Sequence, residues 1–133
     1  MANGRGNMYV INLKKEINAK LDKLSQGYIN ARVKRQLADG KKFLETIESY
    51  PYATCLKVSS LTAAIMKERK RKKQILDDLN KKVGDYQIPM FENYVPLSKE
   101  HEAQVKKQSQ ILEDEIHWLH KCLGICHNED YFN

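Results

Sequence analysis

The chain has 133 residues, with 23 Lys and Arg against 17 Asp and Glu, a net charge of +6 and 41% hydrophobic residues; its mean hydropathy is −0.66. That length suffices for one domain, or one subunit of a larger assembly, and excludes two independent domains. Ile, Leu, Val and Phe make up 32 of the 133 residues, above the share of roughly 20% at which disorder becomes the expectation, so a thin core is expected. No run approaches the roughly 18 apolar residues that a membrane-spanning helix needs. The start, Met1 to Asn7, lacks the apolar stretch of a secretion signal. Three cysteines, Cys55, Cys122 and Cys126, are an odd number in a chain that can fold without staples, so no disulfide framework is expected and the cytosol or nucleus is the natural compartment.

In chain order, seven flexible residues precede apolar side chains at Val10, Leu13, Ile17, Leu21, Leu24, Tyr28 and Ala31. Steps of three and four keep these on one helical face. Gly27 and Gly40 each weaken a helix by about 1 kcal/mol relative to Ala, and the break is expected at Gly40 more than at Gly27. The pattern resumes through Phe43, Leu44, Ile47 and Tyr50 until Pro51 closes it. Val58, Leu61, Ile65, Leu76, Leu79 and Val83 mark the next helix, with Gly84 placed to end it. Ser98 is the expected N-cap of the last helix, Glu100 and Glu102 complement its dipole, and Val105, Leu112, Ile116, Leu119 and Leu123 form its stripe, with Gly124 at its end. The expectation is an all-α fold of three or four helices, elongated or a loose antiparallel bundle. Its helices span about 8–39, 41–50, 54–83 and 98–123 within a single helical unit, 8–133, and an extended connector covers 84–97. That connector holds two prolines and the aromatics Tyr86, Phe91 and Tyr94, which read as anchors packed either on the chain's own helices or on a partner.

Charge is distributed unevenly. Residues 1–50 carry ten basic and five acidic groups, residues 51–83 nine and three, and residues 84–133 four and nine. The sharpest feature is Lys67-Glu68-Arg69-Lys70-Arg71-Lys72-Lys73, charged all round the helix for about two turns. Lys67, Arg69, Lys70, Arg71, Lys72 and Lys73 form a candidate patch for an acidic partner, whether nucleic-acid phosphate, the acidic surface of a polymer such as tubulin, or an anionic membrane. Within the chain, an antiparallel hairpin of the last two helices would set Lys70 opposite Leu112 and so place Glu113-Asp114-Glu115 beside the basic run, neutralising part of it. No aromatic flanks the run to stack on bases, and no long zipper follows it, so sequence-specific nucleic-acid recognition is disfavoured while loose phosphate binding stays open.

His117, His120, Cys122, Cys126 and His127 cluster near the C-terminus. At about 100° per residue, however, the histidines share one helical face and the cysteines the opposite one. Small buried thiols and surface imidazoles are therefore expected, and no metal ligation. The chain has no Gly-rich phosphate loop, nucleophile elbow or His-Glu-x-x-His pair, so no catalytic residue, enzymatic role or cofactor is assigned. Cys55, near a helix start, is read as a small packed or partly exposed residue, and Trp118 as a core or interface anchor.

The helix-joining segment Pro51-Tyr52-Ala53-Thr54, with a basic stretch ending Lys72-Lys73-Gln74, resembles the small cilia- and flagella-associated proteins that line doublet microtubules, over about twenty residues. The resemblance implies a non-enzymatic, elongated subunit, its aromatic connector wedged between neighbours and its lysines near acidic tubulin or other axonemal proteins. The function expected is that of a structural subunit held by protein partners in a cytoplasmic assembly, with a basic nucleic-acid-binding module as the rival and no membrane role.

Overall fold

A computed structural model describes residues 5–87, 99–128 and 130–132, and for residues 82–87 the backbone alone. Among these the fold is all-α, with helices α1 (Val10–Gln26), α2 (Ala31–Glu48), α3 (Val58–Gln87) and α4 (Lys99–His127), a 3-10 turn at Ala53–Cys55, and no strand. The chain divides into two compact units, one of Met1–Ile65 with Cys122–Asn133, the other of Met66–Lys121.

The first unit holds the core. Val10, Leu13 and Ile17 of α1, Phe43 and Ile47 of α2, Val58, Leu61 and Ile65 of α3, and Cys122, Ile125 and Cys126 of α4 are buried, with Phe132 beyond the last helix. Each set recurs at three- or four-residue steps, so one stripe per helix is withdrawn from water at roughly 25 cal/mol per Å² of apolar surface. Tyr9 and Lys57, the residues before α1 and α3, offer no capping hydroxyl or carboxylate. Backbone exchange replaces it: Val10 N donates to Leu56 O at 2.8 Å, Val58 N to Met8 O at 2.8 Å and Ser59 N to Gly6 O at 3.1 Å. Tyr9 and Lys57 thereby form an isolated antiparallel bridge, and helix-terminal amides that would otherwise lack partners are satisfied.

The first helical break falls at Gly27 and not at Gly40. Asn30 accepts from Val33 N at 2.9 Å and caps α2, whereas Gly40 lies within α2, fully enclosed. A Cβ on Gly40 would stand 2.5 Å from Leu21 Cδ2 and 2.8 Å from Cδ1, so the missing side chain is what lets α2 lie close against α1. Tyr28, read as part of the α1 stripe, sits in the break and is 86% exposed. Ser49 donates to Thr46 O at 2.6 Å as α2 ends, and Pro51 follows. Tyr52 then takes a left-handed conformation at φ 58°, which L-residues adopt at a cost of about 1–2 kcal/mol. The next helix accordingly starts at Val58 instead of 54.

Two further glycines do not terminate helices. α3 continues past Gly84 to Gln87, so the first four positions of the expected connector are helical. α4 continues through Gly124 to His127. Residues 88–98, with Phe91, Tyr94 and the Ser98 cap, lie outside the described residues, as does the Tyr86 side chain.

Among the described residues of the second unit Leu119 is buried, Leu76, Leu79, Val105, Leu112 and Ile116 are only half-buried, and Met66, Ile75 and Ile111 are exposed. Here α3 and α4 meet edge to edge: Lys72 Nζ pairs with Glu115, and Ser109 donates to Asn80 Oδ1 at 3.4 Å. The antiparallel pairing anticipated from sequence is present, but Lys72 meets Glu115 where the expected register would give Gln110. The displacement exceeds one turn because α3 is longer than its glycine suggested.

Gly40 and Gly124 should respond oppositely to substitution. No atom lies within 4 Å of a Cβ at Gly124, so Gly124→Ala should raise the unfolding free energy by about 0.5–1 kcal/mol. Gly40→Leu should lower it by about 1–3 kcal/mol through overpacking. Urea denaturation of the two variants measures both.

Candidate functional site

Helical phase divides the basic run of α3. Glu68, Arg69 and Lys72 lie on the half-buried side with Leu76 and Leu79, while Lys67, Lys70, Arg71 and Lys73 are exposed. Glu68 occupies the centre of the inner set. Arg71 donates to it from Nε at 3.2 Å and from Nη2 at 2.7 Å, and Lys72 Nζ lies 3.7 Å away. The Arg71 contact holds the Glu68 carboxyl below its ordinary range and raises the guanidinium in return. Lys72 is shared between Glu68 and Glu115 of α4. Of the acidic triplet Glu115 alone meets the run, at Lys72, whereas Arg69 Nε is buried without a hydrogen-bond partner.

Lys67, Lys70 and Lys73 have no ion-pair partner among the described residues. At three-residue steps they form a ridge, and Met66, 58% exposed, shares that side. Exposed ammonium groups are strongly hydrated and screened beyond about 10 Å at 0.1 M salt. Such a ridge steers and orients an acidic partner more than it binds one tightly. A groove of about 440 Å³ runs beside it in the same unit, lined by Arg69, Lys73, Leu76, Asp77, Glu113, Ile116, His117 and His120. Acids and bases alternate along its walls, so the groove carries no single field.

Of the proposed aromatic anchors, Tyr86, Phe91 and Tyr94, no side chain falls among the described residues. Among the described residues, Tyr28 and Tyr52 are the aromatics most presented to solvent, the latter 83% exposed. Neither was singled out as an anchor from sequence. Their signals were present, in a glycine before Tyr28 and a proline before Tyr52, since both residues commonly place their neighbours in exposed turns. Trp118 is half-buried.

The C-terminal cluster separates as its periodicity required. Cys122 and Cys126 are buried, while His117, His120 and His127 are exposed. No three His, Cys, Asp or Glu come together as a metal site among the described residues. Burial pushes the Cys122 thiol up to about 12, with the neighbouring Cys126 adding to it, and burial does the same for Cys126. Both are neutral packing groups. Cys55 is exposed and belongs to the 3-10 turn before α3.

No protein-family model, curated protein or solved structure matches the chain, so the functional reading rests on its own surface.

The buried thiols give a signed pH dependence. An unfolded chain ionises cysteine from about its ordinary value of 9.0, while the folded chain holds Cys122 and Cys126 neutral to about 12. Their contribution is therefore complete below pH 9 and is lost as pH rises through that window, by about 1.4 kcal/mol per thiol per pH unit. Urea midpoints at pH 8 and pH 11 should fall further for the wild type than for the Cys122→Ala/Cys126→Ala variant.

Proposed function

We propose that the chain is a non-catalytic helical structural subunit that docks on an acidic protein surface through the outward ridge of α3. Lys67, Lys70 and Lys73 supply the charge, and Met66 supplies apolar contact beside them. The observation that carries this reading is the division of the basic run: Arg71 and Lys72 are paired with Glu68 and Glu115 within the chain, while Lys67, Lys70 and Lys73, at three-residue steps, are exposed and have no ion-pair partner among the described residues. A chain that needed its positive charge only for solubility would have no reason to align it. The resemblance of residues 51–54 and 72–74 to proteins lining ciliary doublets favours a microtubule as the acidic polymer and a cytoskeletal setting for the protein.

Energetics favour a cooperative role. Exposed ion pairs contribute about 0–1 kcal/mol each, so three lysines cannot hold a partner alone. The exposed Ile75 and Ile111 of the same unit, with Met66, are apolar surface that an interface would withdraw from water. A structural subunit meets both needs by contacting several neighbours at once.

Co-sedimentation with polymerised tubulin tests the proposal. The wild type should pellet with the polymer, and Lys67→Glu/Lys70→Glu/Lys73→Glu should lose affinity by about tenfold or more while keeping its helical circular dichroism. Parallel titrations with duplex DNA address the rival reading. Binding to DNA that exceeds binding to tubulin, and weakens steeply with ionic strength, would assign the ridge to phosphate backbones instead.

A further inference from the structure

The first unit contains a second cationic feature of a different kind. Arg5 precedes α1 in the lead-in segment whose backbone is fixed to the start of α3 by Met8 O and Gly6 O. That anchoring carries the Arg5 side chain inward, where it is 8% exposed. Glu16 Oε1 lies 3.3 Å from Nη1, yet neither Nε nor Nη1 of Arg5 has a hydrogen-bond partner. Glu16 does not cancel the guanidinium either, because the same carboxylate oxygen also pairs with Lys20 Nζ at 3.3 Å. Two cations share one acid, and the buried one keeps two of its three donor nitrogens, Nε and Nη1, unfilled. Leaving such a donor without an acceptor is costly, and more so when it is charged.

Arg5 lines a cleft of about 380 Å³ together with Gly6, Asn7, Val58, Ser59, Thr62, Cys126 and His127. None of these residues is acidic. The Asn7 carboxamide, the Ser59 hydroxyl and the His127 imidazole can all donate hydrogen bonds. Thr62 spends its proton on Ser59 O at 2.8 Å. The amides of Val58 and Ser59 are already committed to Met8 O and Gly6 O, so an anion here would be held by side chains. Cys126 offers no competing charge, since burial keeps its thiol protonated.

We propose that this cleft binds a phosphate group, as the free anion or as a small monoester. A carboxylate has two oxygens, whereas phosphate presents three or more to donors converging from different sides. The volume exceeds that of a bare anion and falls within the range of about 300–1,000 Å³ typical of small-molecule sites, leaving room for an ester substituent. The site is independent of the α3 ridge: one is a buried guanidinium in a concave setting, the other three solvated ammonium groups.

Titration calorimetry on the full chain with inorganic phosphate, glycerol phosphate and acetate tests the assignment. Saturable binding of phosphate is expected, with glycerol phosphate tighter if the site takes monoesters and equal or weaker if it takes the free anion. Arg5→Lys removes the planar fork and should weaken binding by about tenfold or more. Because Arg5 variants could also disturb folding, Ser59→Asp provides the second arm: Ser59 is exposed, and an acid placed there should eliminate phosphate binding without loss of helical signal. Lys67→Glu/Lys70→Glu/Lys73→Glu should bind phosphate as the wild type does. Absence of saturable binding, acetate binding as tight as phosphate, unchanged affinity in Ser59→Asp, or loss of affinity in the lysine variant would each overturn the proposal.

Discussion

The reciprocal capping between the residues leading into α1 and α3 is the contact on which the first unit depends. Helix starts leave amide protons without intrahelical acceptors, and proteins usually supply a Ser, Thr, Asp or Asn side chain to receive one. Tyr9 and Lys57 cannot do this. Met8 O, Gly6 O and Leu56 O accept from the initial amides instead, so the two lead-in segments must lie antiparallel before either helix can begin properly. Val10 and Val58, immediately after the bridge, are both enclosed. The bridge also explains how an arginine five residues into the chain comes to be buried: the backbone is committed before the side chain has a choice.

Periodicity made much of this legible. The stripes Val10, Leu13 and Ile17, Phe43 and Ile47, and Val58, Leu61 and Ile65 are the buried positions of their helices, because side-chain spacing alone decides which residues can share one face. The placement of Cys122 and Cys126 inward and of the histidines outward follows from the same geometry. Backbone-to-backbone capping leaves no trace in side-chain identity, and the bridge was invisible for that reason. Glycines misled for a related one. Gly40, Gly84 and Gly124 share the same helix penalty, yet all three lie within helices; Leu21 stands against Gly40, whereas nothing lies within 4 Å of a Cβ at Gly124. Composition records that a side chain is missing without recording what occupies its place.

The basic stretch of α3 illustrates the difference between a charge count and a charge surface. Six cations and one acid in seven residues read as a patch on all sides of the helix. Rotation of about 100° per residue sends Glu68 and Lys72 toward α4, where Glu115 is within reach, and leaves Lys67 and Lys70 exposed, with Lys73 exposed at the edge of the groove that α4 also lines. The inward cations select a register, since exposed pairs contribute little stability but penalise wrong neighbours. The sequence contained both halves of this arrangement. It could not give the register, because the helix length that sets it depended on whether Gly84 ended α3.

The same kind of charge acts differently in its two settings. On the α3 ridge, water and salt attenuate each lysine, so its effect is long-ranged, weak and sensitive to ionic strength. At Arg5 the guanidinium is withdrawn from solvent and only part-matched by a carboxylate that Lys20 also claims. There the local dielectric is low, an unmade hydrogen bond is costly, and screening by mobile ions is slight. Net charge cannot distinguish these situations, and neither can the sequence position of either group. Burial distinguishes them, and burial here follows from the capping bridge, which ties the fate of one arginine to hydrogen bonds made by its neighbours' backbone.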